Sequence, residues 1–459
     1  MKYLYRTVEG LTINSLKKKD LLTLGFMMFS IYFGAGNLIF PPALGQAAGD
    51  HTLHAMLGFM TTGIGLPLLG ITAIALAGGE YVPLLHAKTW PRFATVLLVI
   101  LYLIIGPLFA MPRTGAVSFE IGIRPFLSAD NLALGQIIYT AVFFASSYYL
   151  ALNPNKIIDR VGRMLTPALL IVLLILFVQA FHAPLGAILP ATGAYIDAPF
   201  AQGFQDGYQT MDLLASIAIG ALVANAVRMR GITDSRAVGA ACLVSGLITV
   251  MLMAAVYGSL AYIGATSTSI LGQAENGGQI LSAAVGIFFG SAGNLLLAVI
   301  IGLACLTTCC GITSSAAMFF NKLLKGRISY ERLLLFSILF SFAASNVGLT
   351  QIIALAIPFL VTIYPLIIVF VILSLFDRFI GWRKSIYQGA MALTLVFSLI
   401  DGLHAAGLSS EPVHALLVAY IPFYNIMMGW VCPAVIGALV GLIISFFQTV
   451  PRAAEESHV

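Results

Sequence analysis

The stretch GAGNLIFPP, Gly34 to Pro42, lies inside the first long apolar run, which starts at Leu21 and fades near Ala47. A run of that length predicts a membrane-crossing helix, because about 20 residues at roughly 1.5 Å rise span the hydrocarbon core. Yet its middle holds two glycines, an asparagine and two consecutive prolines. Neither proline can donate a backbone hydrogen bond, and each ring clashes with the preceding turn. Lipid supplies no replacement partners, so a break in mid-membrane survives only where protein, water, an ion or a ligand satisfies the freed groups. The stretch therefore predicts a broken helix and marks a binding site.

The rest of the chain agrees with a membrane setting. Of 459 residues, 60% are hydrophobic and only 9% charged, with a mean hydropathy of +0.99; soluble domains average about 25% charged. An all-α polytopic membrane protein is expected, with twelve transmembrane helices. The apolar segments are 21–47, 55–77, 93–122, 134–152, 162–181, 204–227, 237–263, 284–320, 332–346, 350–375, 386–408 and 424–447. The run 284–320 is long enough to include an entry helix before Asn294. With the Lys17-Lys18-Lys19 end placed inside, alternating connections put 21 of the 23 basic residues on the inner side. Only Arg113 and Arg124 fall on the other side. Lys and Arg are retained on the cytoplasmic side, so both termini are expected in the cytoplasm of a cell that holds the chain in its cytoplasmic (inner) membrane. The tails are 1–20 and 448–459; no secretory signal peptide is expected ahead of the first span. The outer connections 182–203 and 264–283, rich in Gly, Pro and Ala, are expected to be the longest, either as lids or as plain connectors.

The chemistry is concentrated in a few intramembrane residues. A half-helix 21–33 would end in free carbonyls, and a second half starting near Leu38 would present free N–H groups, with Pro41 and Pro42 near its start. The two opposed dipole ends suit a zwitterion, and Asn37 can add an oxygen for Na⁺. In GYQTMDLLASIAIG, Asp212 stands among apolar residues. A carboxylate there is a functional candidate by default: it could hold a substrate ammonium, shape unwound backbone, carry a proton, or cap the second half-helix. LACLTTCCGITSS, Leu303 to Ser315, carries paired hydroxyls at Thr307 and Thr308; such groups bond back to the i−4 carbonyl or ligate an ion from a facing helix. Arg113 departs from the positive-inside pattern, so a gating or structural salt bridge to Glu120 or Asp212 is expected, ahead of direct substrate contact. Pro358, Tyr364 and Pro365 mark another kinked, gating helix. The five cysteines lie in apolar runs without metal-ligand spacing, and no nucleotide loop or hydrolytic constellation appears. An enzyme and a nucleic-acid partner are not expected.

GFMMFSIYFGAGNLIFPP, GPLFAMPRTGAVSFEIG, GYQTMDLLA, LACLTTCCGITS and the run Ser345 to Pro365 together resemble the BrnQ-type branched-chain amino acid:cation symporters (the LIVCS family). The likeness spans nearly all of residues 17–447. It implies Na⁺-coupled uptake of leucine, isoleucine and valine on a LeuT-like fold, with broken helices 1 and 6. It also implies a five-plus-five inverted repeat covering 21–181 (helices 1–5) and 204–375 (helices 6–10), followed by 386–447 (helices 11 and 12). Carried over, the substrate contacts fall on Tyr32, Ala35, Gly36, Asn37, Thr210, Met211 and Asp212. The Na⁺ ligands fall on Ser30, Phe33, Asn37, Thr307 and Thr308. Partners would be an amino acid, sodium ion and membrane lipid, with no cofactor besides the coupling ion. Two other readings stay open: H⁺ coupling through Asp212, and a sensor or channel that binds without concentrating its substrate. A major-facilitator architecture is disfavoured by the short sixth-to-seventh connection.

Overall fold

The computed structural model describes residues 17–79, 81–152, 157–232, 234–381, 383–409 and 411–447. Most of both tails and Lys156 lie outside them, as do the side chains of Arg160, Arg163 and Arg378. Among the described residues every element is helical. The first helix is broken as the sequence predicts: α1 is Lys18–Tyr32 and α2 is Ala35–Ala48. There follow α3 Thr52–Met60, α4 Leu66–Leu76, α5 Tyr81–Lys88, α6 Pro91–Leu103 and α7 Ala110–Gly122. Next come α8 Leu132–Ala151, α9 Ile157–His182, α10 Pro199–Asp206 and α11 Asp212–Arg228. The remainder are α12 Ser235–Leu271, α13 Gly277–Leu323, α14 Tyr330–Ser345, α15 Leu349–Leu375, α16 Asp377–Ile380, α17 Lys384–Ala405, α18 Glu411–Tyr420 and α19 Val431–Phe447.

Seven helical stretches among the described residues are long and apolar enough to cross a bilayer, and one bent pair makes an eighth. That pair joins 199–210 to α11 with a bend of 48°. The stretch Ala35–Leu76 has 42 residues, twice what one crossing needs, and its first helix ends at Gly49, where φ is +48°. In α13 the expected entry portion is present: Gly290, at φ 65° and ψ −162°, separates it from the long run behind.

Three expectations need correction. The connection expected over 264–283 is mostly helix, since α12 continues to Leu271 and α13 begins at Gly277. Its polar residues misled because their hydroxyls are satisfied within the helix: Thr266 donates to Tyr262 O (2.9 Å) and Ser267 to Gly264 O (2.7 Å). The last apolar segment, expected from residue 424, becomes helical only at Val431, because Phe423 and Met427 adopt left-handed φ of 64° and 56° that stop a helix. A separate helix, α18, precedes it. The second half of the first helix starts at Ala35, not near Leu38, so Pro41 and Pro42 lie in its second turn.

The connections gather at two ends. At one end Arg228 donates to Gly78 O (2.8 Å) and Lys88 pairs with Asp377 (2.8 Å). At the other, Asp50 N donates to Leu189 O (3.1 Å), Thr192 N to Ala47 O (2.9 Å) and Gln46 Nε2 to Gly272 O (2.9 Å). The segment 183–198 is thereby tied down over the end of α2.

Candidate functional site

The first break occupies Phe33 and Gly34, both in extended conformation, between the end of α1 and the start of α2. Asn37 explains why the second half starts so early. It is the third residue of α2, and its Oδ1 accepts from Gly34 N at 3.3 Å, closing the first turn as a capping side chain does. The prolines then remove the donors that would have reached the carbonyls of Asn37 and Leu38 in the i→i−4 pattern.

The second break precedes α11. Residues Gly207–Thr210 form a 3₁₀ turn, and Met211 then adopts left-handed φ 62°, ψ 12°. Met211 holds the cap position, so Asp212 is the first residue of α11 and does not cap it. Thr210 Oγ1 takes part of that role, accepting from Asp212 N at 3.4 Å while donating to Gly207 O at 2.9 Å. The Asp212 carboxylate is free to cross to the first break, where Asn37 Nδ2 donates to its Oδ2 at 2.8 Å. Tyr257 of α12 completes the junction: its hydroxyl donates to Asp212 Oδ2 at 3.4 Å and accepts from Asn37 Nδ2. All three side chains are at least 95% buried. The two breaks are thus fastened by one polar network inside an apolar bundle.

Thr308 of α13 lies against the first break. A Cβ placed on Gly34 would stand 3.5 Å from its Cγ2 and 3.8 Å from its Oγ1. The Thr307 hydroxyl donates to Ala304 O at 2.9 Å. Ser30, half-buried, sits one residue short of a helical turn before Phe33. Tyr32, the last residue of α1, directs its hydroxyl to Pro67 O at 3.3 Å. Ala35 and Gly36 open α2 with first-turn N–H groups, which lack intrahelical partners.

The expected pairing of Arg113 with Glu120 is not made. Both are on α7, but Glu120 Oε1 accepts from Arg124 Nη1 (2.7 Å), Asn276 Nδ2 (3.1 Å) and Gln279 Nε2 (2.9 Å). Those partners meet it at the far end of α7 and hold the start of α13 there. Arg113 lies two turns away and donates instead to the carbonyls of Gln209 and Thr210 at the second break. Sequence reasoning missed Tyr257, whose only signal is a phenol in the apolar run MAAVYGSLAYIG. It also missed the stack of Tyr208 on Tyr364, 4.4 Å between centroids, which backs the second break on the α15 side.

The chain is similar to known proteins over nearly its whole length. The sequence model described as "Branched-chain amino acid transport protein" matches residues 17–448. Branched-chain amino acid permease BraB of Bacillus subtilis is 46% identical, over 95% of this chain and 97% of its own length. Branched-chain amino acid transport system 2 carrier protein of Pseudomonas aeruginosa is 43% identical, over 96% and 99%. Branched-chain amino acid permease BrnQ of Escherichia coli K12 is 38% identical, over 94% and 96%. Among solved structures, the nucleobase-cation-symport-1 family transporter MHP1 superposes with a TM-score of 0.56 at 15% identity, over 94% of each chain. MhsT in complex with L-phenylalanine gives 0.55 at 17%, over 92% and 98%. At these identities the likeness is one of fold, and the fold is LeuT-like.

Proposed function

Because the chain belongs to the branched-chain amino acid transport protein family, we propose that it is a Na⁺-coupled symporter carrying leucine, isoleucine and valine into the cytoplasm by alternating access. That it is a membrane transporter of branched-chain amino acids, and not an enzyme, follows from the family itself. The coupling ion, the direction and the residues are the reading put forward here. One observation carries it: two helix breaks meet at Asn37 and Asp212 (2.8 Å) in the middle of an apolar bundle. Half-helix ends of opposite polarity at such a junction are how this architecture binds a zwitterion and its cation.

In this reading the substrate occupies the junction between Ala35–Asn37 and Thr210–Asp212, with the Tyr32 backbone at its edge. Sodium takes the carbonyls of Ser30 and Phe33 together with the Thr308 hydroxyl beside Gly34. The Thr307 hydroxyl donates to Ala304 O and keeps its lone pairs for a cation, and Asn37 joins through the second lone pair of an oxygen already engaged by Gly34. The breaks lie in the first helix of each of the two sets of five, 21–181 and 204–375, and alternating access opens the site around them. Both termini lie in the cytoplasm and the chain spans the cell membrane.

The test is uptake of [³H]leucine into proteoliposomes, in Na⁺ and in choline buffer without a pH gradient. Concentrative uptake in Na⁺ and none in choline is expected; equal uptake in both would overturn Na⁺ coupling. A second reading, H⁺ coupling through Asp212, draws on the burial of that carboxylate, 4% exposed and held entirely by protein groups. An Asp212→Asn variant that still concentrates leucine under a Na⁺ gradient would exclude it.

A further inference from the structure

The junction holds a cation of its own. Arg113 is 5% exposed, and its guanidinium is wedged between the two breaks. Nη1 donates to Gln209 O at 2.5 Å and Nη2 to Thr210 O at 3.5 Å. A Cβ added to Gly36 would meet Nη2 at 2.9 Å, so the group abuts the first turn of α2. The guanidinium carbon stands 5.2 Å from the centre of the Phe40 ring, a face that favours a cation.

Two features of this arrangement ask for an anion. A guanidinium has five N–H donors, and among the described residues Arg113 Nε is buried without a hydrogen-bond partner. Nor does any carboxylate among them lie within ion-pair distance of Arg113. Asp212, one residue beyond the carbonyls Arg113 holds, is committed to Asn37 and Tyr257. A buried charge inside a membrane is costly unless an opposite charge meets it. The free N–H groups and positive dipole end of α2 favour an anion at the same place. Carbonyls at an unwound half-helix end are also the groups that hold a free cation in transporters of this architecture, and here a tethered cation already holds two of them.

We propose that Arg113 binds the substrate directly, its guanidinium receiving the α-carboxylate of the amino acid together with the first-turn N–H groups of α2. Its other donors keep the carbonyls of Gln209 and Thr210, so it stands where a free cation would otherwise bridge the second break and the carboxylate. The proposal rests on the transport reading above and adds a residue that recognises the acid group, as distinct from the side chain, of the substrate.

The test is equilibrium binding of [³H]leucine to the purified full-length protein, competed with unlabelled leucine or with leucinamide, which keeps the ammonium and side chain but lacks the carboxylate. In the wild type leucinamide is expected to bind about 30-fold or more weakly, the scale of losing one partner of a buried charge pair. In Arg113→Gln leucine affinity should fall by a similar factor and the discrimination shrink to within about threefold. Arg113→Lys, a point charge without the planar fork, should fall between. Wild type that does not discriminate, or an Arg113→Gln protein that discriminates as well as wild type, overturns the proposal. If Arg113→Gln does not elute as a folded species, Arg113→Lys decides: unchanged affinity and unchanged discrimination would overturn it. Repeating the measurement in Na⁺ and choline separates the two readings. Failure of sodium coupling appears as equal leucine affinity in the two buffers, while the leucine-to-leucinamide ratio is still read in each.

Discussion

Asn37 does three things with one amide. Its oxygen closes the first turn of α2 on Gly34, and its nitrogen reaches both Asp212 and Tyr257. An asparagine in an apolar run with glycines and prolines is conspicuous because hydrocarbon cannot satisfy its polar groups, which is why the sequence points to it. Tyr257 is not conspicuous, because a tyrosine ring packs among apolar neighbours wherever its hydroxyl finds one partner, and that partner comes from a helix 220 residues away. The hydroxyl pair Thr307-Thr308 is ambiguous in the sequence, and packing separates the two. Thr308 touches the break, whereas Thr307 bonds back to its own helix. Replacing Thr308 with Ala is expected to raise the Na⁺ concentration for half-maximal leucine uptake by roughly tenfold, the loss of about 1.4 kcal/mol from one oxygen ligand. Thr308→Ser should restore it, and Thr307→Ala should change it by less than about threefold. A Na⁺ titration of uptake reads all three, and equal effects at the two positions would refute the assignment.

At the scale of elements, α2 is held by unusually close helix contacts. A Cβ on Gly45 would lie 1.9 Å from Ala261 O, one on Gly264 2.0 Å from Pro42 O, and one on Gly277 1.7 Å from Ile39 O. Small residues let membrane helices approach this closely, and packing of this kind drives their association where no hydrophobic effect operates between them. The broken half-helix is thereby clamped between α12 and α13 by backbone surfaces rather than side chains. Gly264→Ala forces backbone apart and is expected to cost about 1–3 kcal/mol, read as a lower melting temperature of the purified protein and reduced uptake. Gly258→Ala, on the same helix with nothing within 4 Å of its new Cβ, should leave both unchanged. The existence of the breaks was legible, since Gly and Pro state it in backbone terms. Where α2 begins was not: its start at Ala35 depends on Asn37 bonding Gly34, a choice open to that side chain only once the turn has formed.

For the whole molecule, the segregation of connections into two ends makes a statement about orientation. One end carries Lys88, Arg228 and Asp377, and the buried Lys88–Asp377 pair, with the Lys88 ammonium 5.0 Å from the Tyr387 ring centre, ties α5 to α16 and α17 there. In the orientation proposed above, with positive charge retained on the cytoplasmic side, that end is expected to be the inner one. A cysteine introduced at Lys325, on the turn after α13, should react with an impermeant maleimide only in inside-out vesicles. One introduced at Gly193, in the segment over α2, should react only in intact cells. Labelling of both from the same side would contradict the alternation.

What the sequence determines by itself is set by solvent. Long apolar runs must become helices in lipid because every backbone group has to find its partner within the segment, and a run that cannot do so must be a site. The charge pattern adds an expected orientation, and the motifs add a family. Tertiary structure alone decides which polar groups meet. Arg113 and Glu120 share a helix and opposite charge, yet Glu120 turns to Arg124 and the start of α13, and Arg113 to the carbonyls of the second break. Asp212 leaves the cap of its own helix to Thr210 and crosses to Asn37. In a medium that leaves few polar groups unpaired at low cost, the choices other than the local Glu120–Arg124 pair are made by the nearest available partner across the bundle, and distance across the bundle is the one quantity that spacing along the chain does not contain.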